Sequence, residues 1–538
     1  MKRFSIIRAA ATTGAATLMS RILGFLRDVM IAASLGAGPL ADIFVVAFRL
    51  PNLFRRLFAE GAFNAAFVPV FAKSMEADGV DAARKLSAEV LAVLLAGLLV
   101  FTLIAEWYMP YLVDALAGGF RATPEKFDLA VTYSRITFPY LIFMSLLSLY
   151  AAMLNASGRF AVAAFAPVLL NVVLIGALVL AAMTGRDSLA SLIWGVAIAG
   201  AVQFLMVWYA VQRAGLGIGL QRPRLTKGVK RVLTLGVPGL LAAGVGQINL
   251  LVGTNIASAQ NGAASWLYYA DRLYQLPLGV IGIALSVALL PDLARRLRAG
   301  DEVGARNSQN RSLQIALLFS LPCAVGLYLL AGPVMAVLFQ RGAFTAADTA
   351  AAGVALMAFA PGLPAFIGVK VLQPSFFARE DTLNPFIYGA LGVVANIAIS
   401  LTFFPIYGHV AIAAATSIAG WLTLIAMTVH LLISGWRPDK ALVTGTLAIL
   451  FSAALMGAAL FLSPFMPSED ATNQAASASL SLVFWLGVHI IAGIMIFTLS
   501  GLLTGAFGKD VMRYFRSSTR AERLAKSDTL SDKADENE

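Results

Sequence analysis

Apolar residues run along this chain in long stretches separated by short polar connections. Fourteen stretches can be drawn, at about 12–34, 40–66, 88–112, 131–155, 161–183, 189–211, 230–258 and 266–292, and then 311–338, 348–376, 384–405, 409–433, 441–465 and 480–506. A helix needs about 20 mostly apolar residues to cross a hydrocarbon core, and every stretch meets that length. None has the two-residue alternation over about ten residues that marks a barrel strand. The pattern predicts an all-α polytopic membrane protein of 14 transmembrane helices, with connections too short for an extramembrane domain. Three basic residues precede the first stretch, as in a signal peptide. Arg21, Arg27 and Asp28 interrupt it, however, and it is expected to be a retained span.

Composition agrees. Of 538 residues, 59% are hydrophobic and 13% charged, and the mean hydropathy is +0.80. Soluble domains carry about 25% charged residues, so an ordinary soluble enzyme is excluded. A disordered chain is excluded by its high hydrophobicity, and a disulfide scaffold by a single cysteine, Cys323. The net charge of +11 would suit nucleic acid in a soluble protein. Here its distribution gives another reason. With the N-terminus inside, 28 of the 40 Lys and Arg residues fall on the cytoplasmic side and 4 opposite. That asymmetry is the positive-inside signal. It places both termini in the cytoplasm and accounts for the charge with no nucleic-acid partner.

An internal echo suggests two halves. Phe160 precedes Asn171 by eleven residues, and Pro385 precedes Asn396 by eleven. Both pairs follow a short turn holding one arginine (Arg159, Arg379), six helices apart. An even offset relates the copies by an axis along the membrane normal. The expected organisation is an N-terminal lobe over 1–212 (helices 1–6), a C-terminal lobe over 213–434 (helices 7–12), helices 13 and 14 over 435–508, and a partly disordered cytoplasmic tail over 509–538. The lobes would surround a central cavity. The basic part of the tail is expected to lie on anionic membrane lipids.

The remaining 8 basic residues lie inside the predicted spans: Arg21, Arg27, Arg49, Arg55, Arg56, Arg135, Arg272 and Lys370. A charge at mid-membrane costs about 2.5–3.5 kcal/mol on insertion scales, so these should face protein or water. In helix 1, Arg21 and Asp28 are two turns apart on one face, with Arg27 pointing elsewhere and Gly24 leaving room between. In helix 2, Asp42, Arg49 and Arg56 form one stripe, flanked by Arg55. Pro51 should kink that helix, and Glu60 stands four residues after Arg56, in pairing range. Helix 8 brings Asp271 and Arg272, and helix 10 brings Lys370. One reading makes these charges structural ion pairs, with Arg55, Arg56 and Arg135 snorkelling to the interfaces. The other makes them a binding surface. Helices 1, 2, 8 and 10 hold three more cations than anions, a surplus that an anionic substrate would satisfy. Arginine forks suit phosphate and carboxylate oxygens.

No other chemistry stands out. His409, His430 and His489 are isolated, and there is no HExxH or Walker A sequence. The expectation is a transporter, not an enzyme. Gly236, Gly239, Gly244 and Gly246 allow close packing or bending of helix 7.

Several motifs fix the family. They are Ser20-Arg-Ile-Leu-Gly-Phe-Leu-Arg-Asp28, the run from Ala41-Asp-Ile-Phe to Glu60-Gly-Ala-Phe63, Tyr268-Tyr-Ala-Asp-Arg-Leu273 and Phe376-Phe-Ala-Arg-Glu-Asp-Thr382. Over about residues 5–510 the chain resembles the MurJ (MviN) family of bacterial lipid II flippases, in the multidrug/oligosaccharidyl-lipid/polysaccharide exporter superfamily. The resemblance implies two six-helix lobes around a cavity, and a lipid-tail groove at helices 13 and 14. It places the family's substrate-binding arginines on Arg21, Arg27, Arg55 and Arg272, and its helix 1 and 2 acids on Asp28 and Asp42. Asp28, Asp42, Arg49, Arg56, Glu60, Asp271 and Lys370 are assigned gating or charge-pairing roles. Lipid II would be moved outward by alternating access. The protein would act as a monomer, with the cell-wall synthesis machinery as a candidate associate. No cofactor is implied. Membrane potential is a candidate energy source, at about 2.3 kcal/mol per charge per 100 mV. Some members are thought to bind sodium through acids of helices 7, 11 and 12. Here those spans have no Asp or Glu, and offer only Asn249, Asn255 and Asn396, so a sodium site is doubtful. The alternatives are a flippase for another undecaprenyl-linked oligosaccharide and a cation-coupled drug exporter of the same superfamily.

Overall fold

A computed structural model describes residues 2–57, 64–463 and 480–507. Among them the protein is all helical, with no strand. The helices of the first half are α1 (Lys2–Leu35), α2 (Pro39–Arg55), α3 (Asn64–Ala77), α4 (Gly79–Trp107), α5 (Met109–Ala117), α6 (Pro124–Thr137), α7 (Tyr140–Ala156), α8 (Ala161–Thr184) and α9 (Ser188–Arg213). The second half contains α10 (Lys227–Ser258), α11 (Ala263–Pro277), α12 (Ile283–Arg298), α13 (Glu302–Leu329), α14 (Ala331–Phe339), α15 (Ala346–Phe359), α16 (Leu363–Phe377), α17 (Leu383–Tyr407) and α18 (His409–Ile433). It is followed by α19 (Lys440–Phe461) and α20 (Leu480–Thr504).

Eleven helical segments among the described residues are long and apolar enough to cross a membrane. They account for eleven of the predicted spans. The other three, 12–34, 40–66 and 230–258, coincide with α1, α2 and α10. All three are diluted by polar, charged or glycine positions, and the first two carry much of the internal charge. Side chains such as Leu103, Ile433 and Leu503 stand outward at 70%, 82% and 89% exposure, as lipid-facing positions do. Side chains cap the helix starts where they leave the apolar layer. Asp187 accepts from the first-turn amides of α9, Asp301 from Gly304 and Asp439 from Leu442.

Helix 2 departs from the expected run. α2 ends at Arg55 with π-type backbone at Arg56 and Leu57, and α3 opens the next described stretch at Asn64. Pro51 perturbs the turn before that end, inside α2. It has no N–H for the carbonyl of Ala47 and its ring crowds that turn. The buried Thr137 hydroxyl of α6 donates to Ala47 O instead, at 2.7 Å. A second π turn, Leu278–Gly282, separates α11 from α12 just after Pro277.

The largest core gathers α2–α9 and takes in Val229 and Val232 from α10. A second core gathers α11–α16 and includes Val29, Ala32 and Ala37 from the first half. Smaller cores join α13, α19 and α20, and α16 with α18. The two halves are therefore knit at α1, which carries Arg21, Arg27 and Asp28, and at α10.

Candidate functional site

Asp28 is the centre of the first charge group. It is 2% exposed. Arg27 folds back over it, with Nη2 2.6 Å and Nε 3.1 Å from Oδ1. Arg272 of α11 brings Nε to 3.0 Å from Oδ2. Tyr268, one turn earlier on α11, donates its hydroxyl to Asp28 Oδ1 at 3.0 Å and accepts from Arg272 Nη2 at 2.7 Å. The Arg272 guanidinium also stands 4.7 Å from the centre of the Tyr268 ring, in cation–π range. Two guanidiniums thus share one carboxylate, and the trio keeps a net positive charge. Arg27 does not point away from Asp28 as helical phase suggested, because its long stem lets the fork return to the adjacent acid. Arg27 Nη1 further donates to Asn171 Oδ1 on α8 at 3.0 Å, and Asn171 Nδ2 donates to Ser20 O. Asn171 is the neighbour for which Gly24 leaves room.

Arg21 is exposed and lies against the π turn between α11 and α12. A Cβ on Gly279 would sit 2.8 Å from both of its terminal nitrogens. Lys370 of α16 also reaches this turn, with its stem next to Gly282. Two cations from different helices therefore flank one irregular segment.

Asp42 anchors a second group and is fully buried. Lys126, 5% exposed, donates to its Oδ2 at 2.9 Å. Gly262 N–H (2.8 Å), Ser265 N–H (3.1 Å) and the Ser265 hydroxyl (2.7 Å) donate as well. These amides belong to the first turn of α11, so a carboxylate from α2 caps a helix of the other half. Lys126 also donates to Asn261 Oδ1 and lies over the Phe120 ring. Around this seam Ala343 N–H donates to Ala33 O at 2.8 Å, and Tyr269 donates to Gly36 O. The approach is close enough to require glycine. Gly262 has φ +84°, and a Cβ there would meet Ala37 O at 2.7 Å; Gly342 has φ +59°, and a Cβ would meet Ala33 O at 2.2 Å.

Arg49 extends the charge pattern along α2. It donates to Thr254 of α10 at 2.8 Å. Asp271 accepts from Gln275 on its own helix. Arg55 donates to Asn52, and Arg56 is exposed at the end of α2. Glu60, the expected partner of Arg56, lies outside the described residues. Of the three asparagines, Asn396 donates to Asn249 at 3.2 Å and to Thr416 at 3.3 Å. Asn255 is elsewhere, donating to the carbonyls of Asp114 and Ala115, so the three do not form one oxygen site. His409 and His489 are buried.

Sequence reasoning misses Lys126, one of the four basic residues on the side opposite the cytoplasm. It also gives no role to Tyr268, Ser265 or Thr254. Tyr268 lay in a quoted motif one turn from Arg272, and that spacing was the available signal. Nothing local marked Lys126, because its partner is 84 residues away.

Lipid-length helices with charges paired across the junction of two halves define a polytopic membrane protein whose halves are coupled by buried ion pairs. The family model described as "Lipid II flippase MurJ" matches residues 31–504, and the chain belongs to that family. The charged segment of α1 precedes the matched region. A relative named "Probable lipid II flippase MurJ" from Rhizobium meliloti (strain 1021) is 49% identical over 85% of this chain and 86% of its own length. The "Lipid II flippase MurJ" of Burkholderia cenocepacia is 36% identical over 86% of this chain and 90% of its own length. A solved structure described as "Lipid II flippase MurJ, inward closed conformation" superposes with a TM-score of 0.78 at 25% identity, covering 93% of this chain and 99% of that one. An inward-facing multidrug resistance transporter of the MATE family shares the fold alone, with a TM-score of 0.66 at 16% identity.

Proposed function

We propose that this protein moves lipid II from the cytoplasmic to the periplasmic leaflet of the bacterial inner membrane by alternating access. The observation that carries the reading, beside family membership, is the sharing of Asp28 by Arg27 and Arg272 while Arg21 stands exposed nearby. One acid among three cations leaves positive charge that a diphosphate can occupy. Arg21, Arg27 and Arg272 bind the diphosphate, and Arg55 completes the basic surface. Asp28 holds Arg27 and Arg272 until substrate oxygens replace its own. Asp42, with Lys126 and the start of α11, acts as the periplasmic gate. Arg49, Arg56, Asp271 and Lys370 balance charge along the path, and Glu60 is assigned the same role.

The finer architecture belongs to the same proposal. α1, α2 and α10 cross the membrane with the eleven apolar spans, giving fourteen helices with both termini cytoplasmic. Helices 1–6 (1–212) and 7–12 (213–434) form two lobes, residues 435–508 supply the lipid-tail groove and 509–538 the tail. The two asparagines support this symmetry. Asn171 ties α8 to α1 through Arg27 and Ser20, and Asn396 ties α17 to α10 through Asn249, which are equivalent helix pairs six spans apart. Membrane potential drives the outward movement of negative charge, with no resident cofactor and no sodium site. The protein works as a transporter, as a monomer beside the cell-wall synthesis machinery.

Complementation tests the reading. A bacterium depleted of its own lipid II flippase is supplied with this chain or with Arg21→Ala, Arg27→Ala or Arg272→Ala. Rescue by the parent and failure of well-expressed variants is expected. Rescue by every variant would make those arginines structural, and no rescue by a correctly inserted parent would reject lipid II as substrate.

A further inference from the structure

A second cationic pocket lies well away from the Asp28 group, where the beginning of α13 meets the ends of α16 and α18. Its empty space, including the open mouth, is about 580 Å³. Arg306, Arg379, Glu302 and Trp436 line it, over a floor made by Gln309 and Ser375. The floor is self-satisfied: Ser375 donates to Gln309, which donates to Val371 O. Arg379 donates to Ser375 O at 3.0 Å and pairs loosely with Glu302 at 3.4 Å. Arg306 is half-buried, with no hydrogen bond or ion pair among the described residues. The Trp436 indole N–H is buried and has no acceptor. The pocket therefore holds two arginines against one glutamate, plus two donors without acceptors. Such a surplus calls for an oxyanion.

The surroundings say where that anion comes from. Ser434 lines both this pocket and a neighbouring open groove formed with Tyr388, Val429, His430 and Ile433. Val429 and Ile433 are 47% and 82% exposed on the lipid-facing side of α18. A polar, cationic pocket beside a largely apolar groove, with Ser434 in the wall of both, fits one molecule with a charged head and a hydrocarbon chain. We propose that this is a binding site for an anionic glycerophospholipid. Its phosphate sits between Arg306 and Arg379 and accepts from Trp436, and an acyl chain follows the α17–α18 groove. The leaflet, cytoplasmic, rests on the orientation proposed above. The site itself does not depend on what the protein transports.

The test uses the full chain in a non-ionic detergent, with bound lipid counted by native mass spectrometry. Short-chain phosphatidylglycerol, short-chain phosphatidylcholine and inorganic phosphate are the probes. Arg306 holds no protein partner, so Arg306→Gln keeps the fold, and equal lipid-free melting temperatures check this. Losing one charge-assisted contact should weaken phosphatidylglycerol binding about tenfold in Arg306→Gln. Trp436→Phe, which keeps the ring and removes the donor, should weaken it severalfold. Phosphatidylcholine should bind the parent at least tenfold less well, since its ammonium brings positive charge to the arginines. Unchanged phosphatidylglycerol binding in Arg306→Gln overturns the site. Equal binding of the two lipids overturns the role of charge. Displacement of the lipid by an equal concentration of inorganic phosphate makes this a soluble-anion site and overturns the lipid assignment.

Discussion

Replacing Asp42 with alanine should open the seam between the two halves. Asp42 is fully buried and holds Lys126, two first-turn amides of α11 and the Ser265 hydroxyl, all within 3.1 Å. Hydrogen bonds to a charged group are worth about 1.5–3 kcal/mol each, but the sum is not additive. Breaking a buried pair by removing one partner costs about 3–5 kcal/mol, because the other charge is left uncompensated. When the halves part, water reaches Lys126 and α11, so the cost falls on the closed state alone. The closed population should drop by about a hundredfold to a few thousandfold relative to the open one. Disulfide trapping reads this directly. Ala343 N lies 2.8 Å from Ala33 O across the seam, so cysteines at these two positions should bridge when it is closed. Cys323, the single native cysteine, is changed to serine as background. Oxidation should be fast in the parent and strongly slowed by Asp42→Ala. Asp42→Asn with Lys126→Met should recover much of the rate, because no buried charge then lacks a partner. Equal trapping rates in the parent and Asp42→Ala would refute the claim that this carboxylate holds the halves together.

Three further outcomes follow from the geometry. Gly279→Ala places a methyl 2.8 Å from the Arg21 guanidinium; the exposed fork can swing aside, so the melting temperature should hold while flipping falls in a reconstituted assay. Asn171→Ala removes the acceptor of Arg27 Nη1 and should cost about 1–3 kcal/mol, read as a lower melting temperature, with Asn171→Asp expected to retain more of it than alanine. Gly262→Ala forces a side chain into the left-handed region and against Ala37 O; a loss of about 1–2 kcal/mol from conformation alone, and more from the clash, should appear as reduced thermal stability and slower trapping of the same cysteine pair.

The chain's own pattern determined the membrane class, the positions of most helices and which cations interrupt the apolar runs. Burial in lipid is a local constraint, and each span must satisfy it with its own residues. The internal charges were legible for the same reason, since a charge in an apolar run is costly wherever it points. The turn at Pro51 was half legible: the proline marked a carbonyl without its helical donor, but only folding brought Thr137 to the oxygen of Ala47. Partnership was decided by tertiary structure alone. Asp28 serves Arg27 beside it and Arg272 from 244 positions further on. Asp42 looked like one member of a stripe, yet it closes on Lys126 and on the first turn of α11, 84 and 220 or more residues away. Helical phase orders side chains around one helix. It says nothing about which other helix supplies the countercharge, because that depends on how the two halves are set against each other.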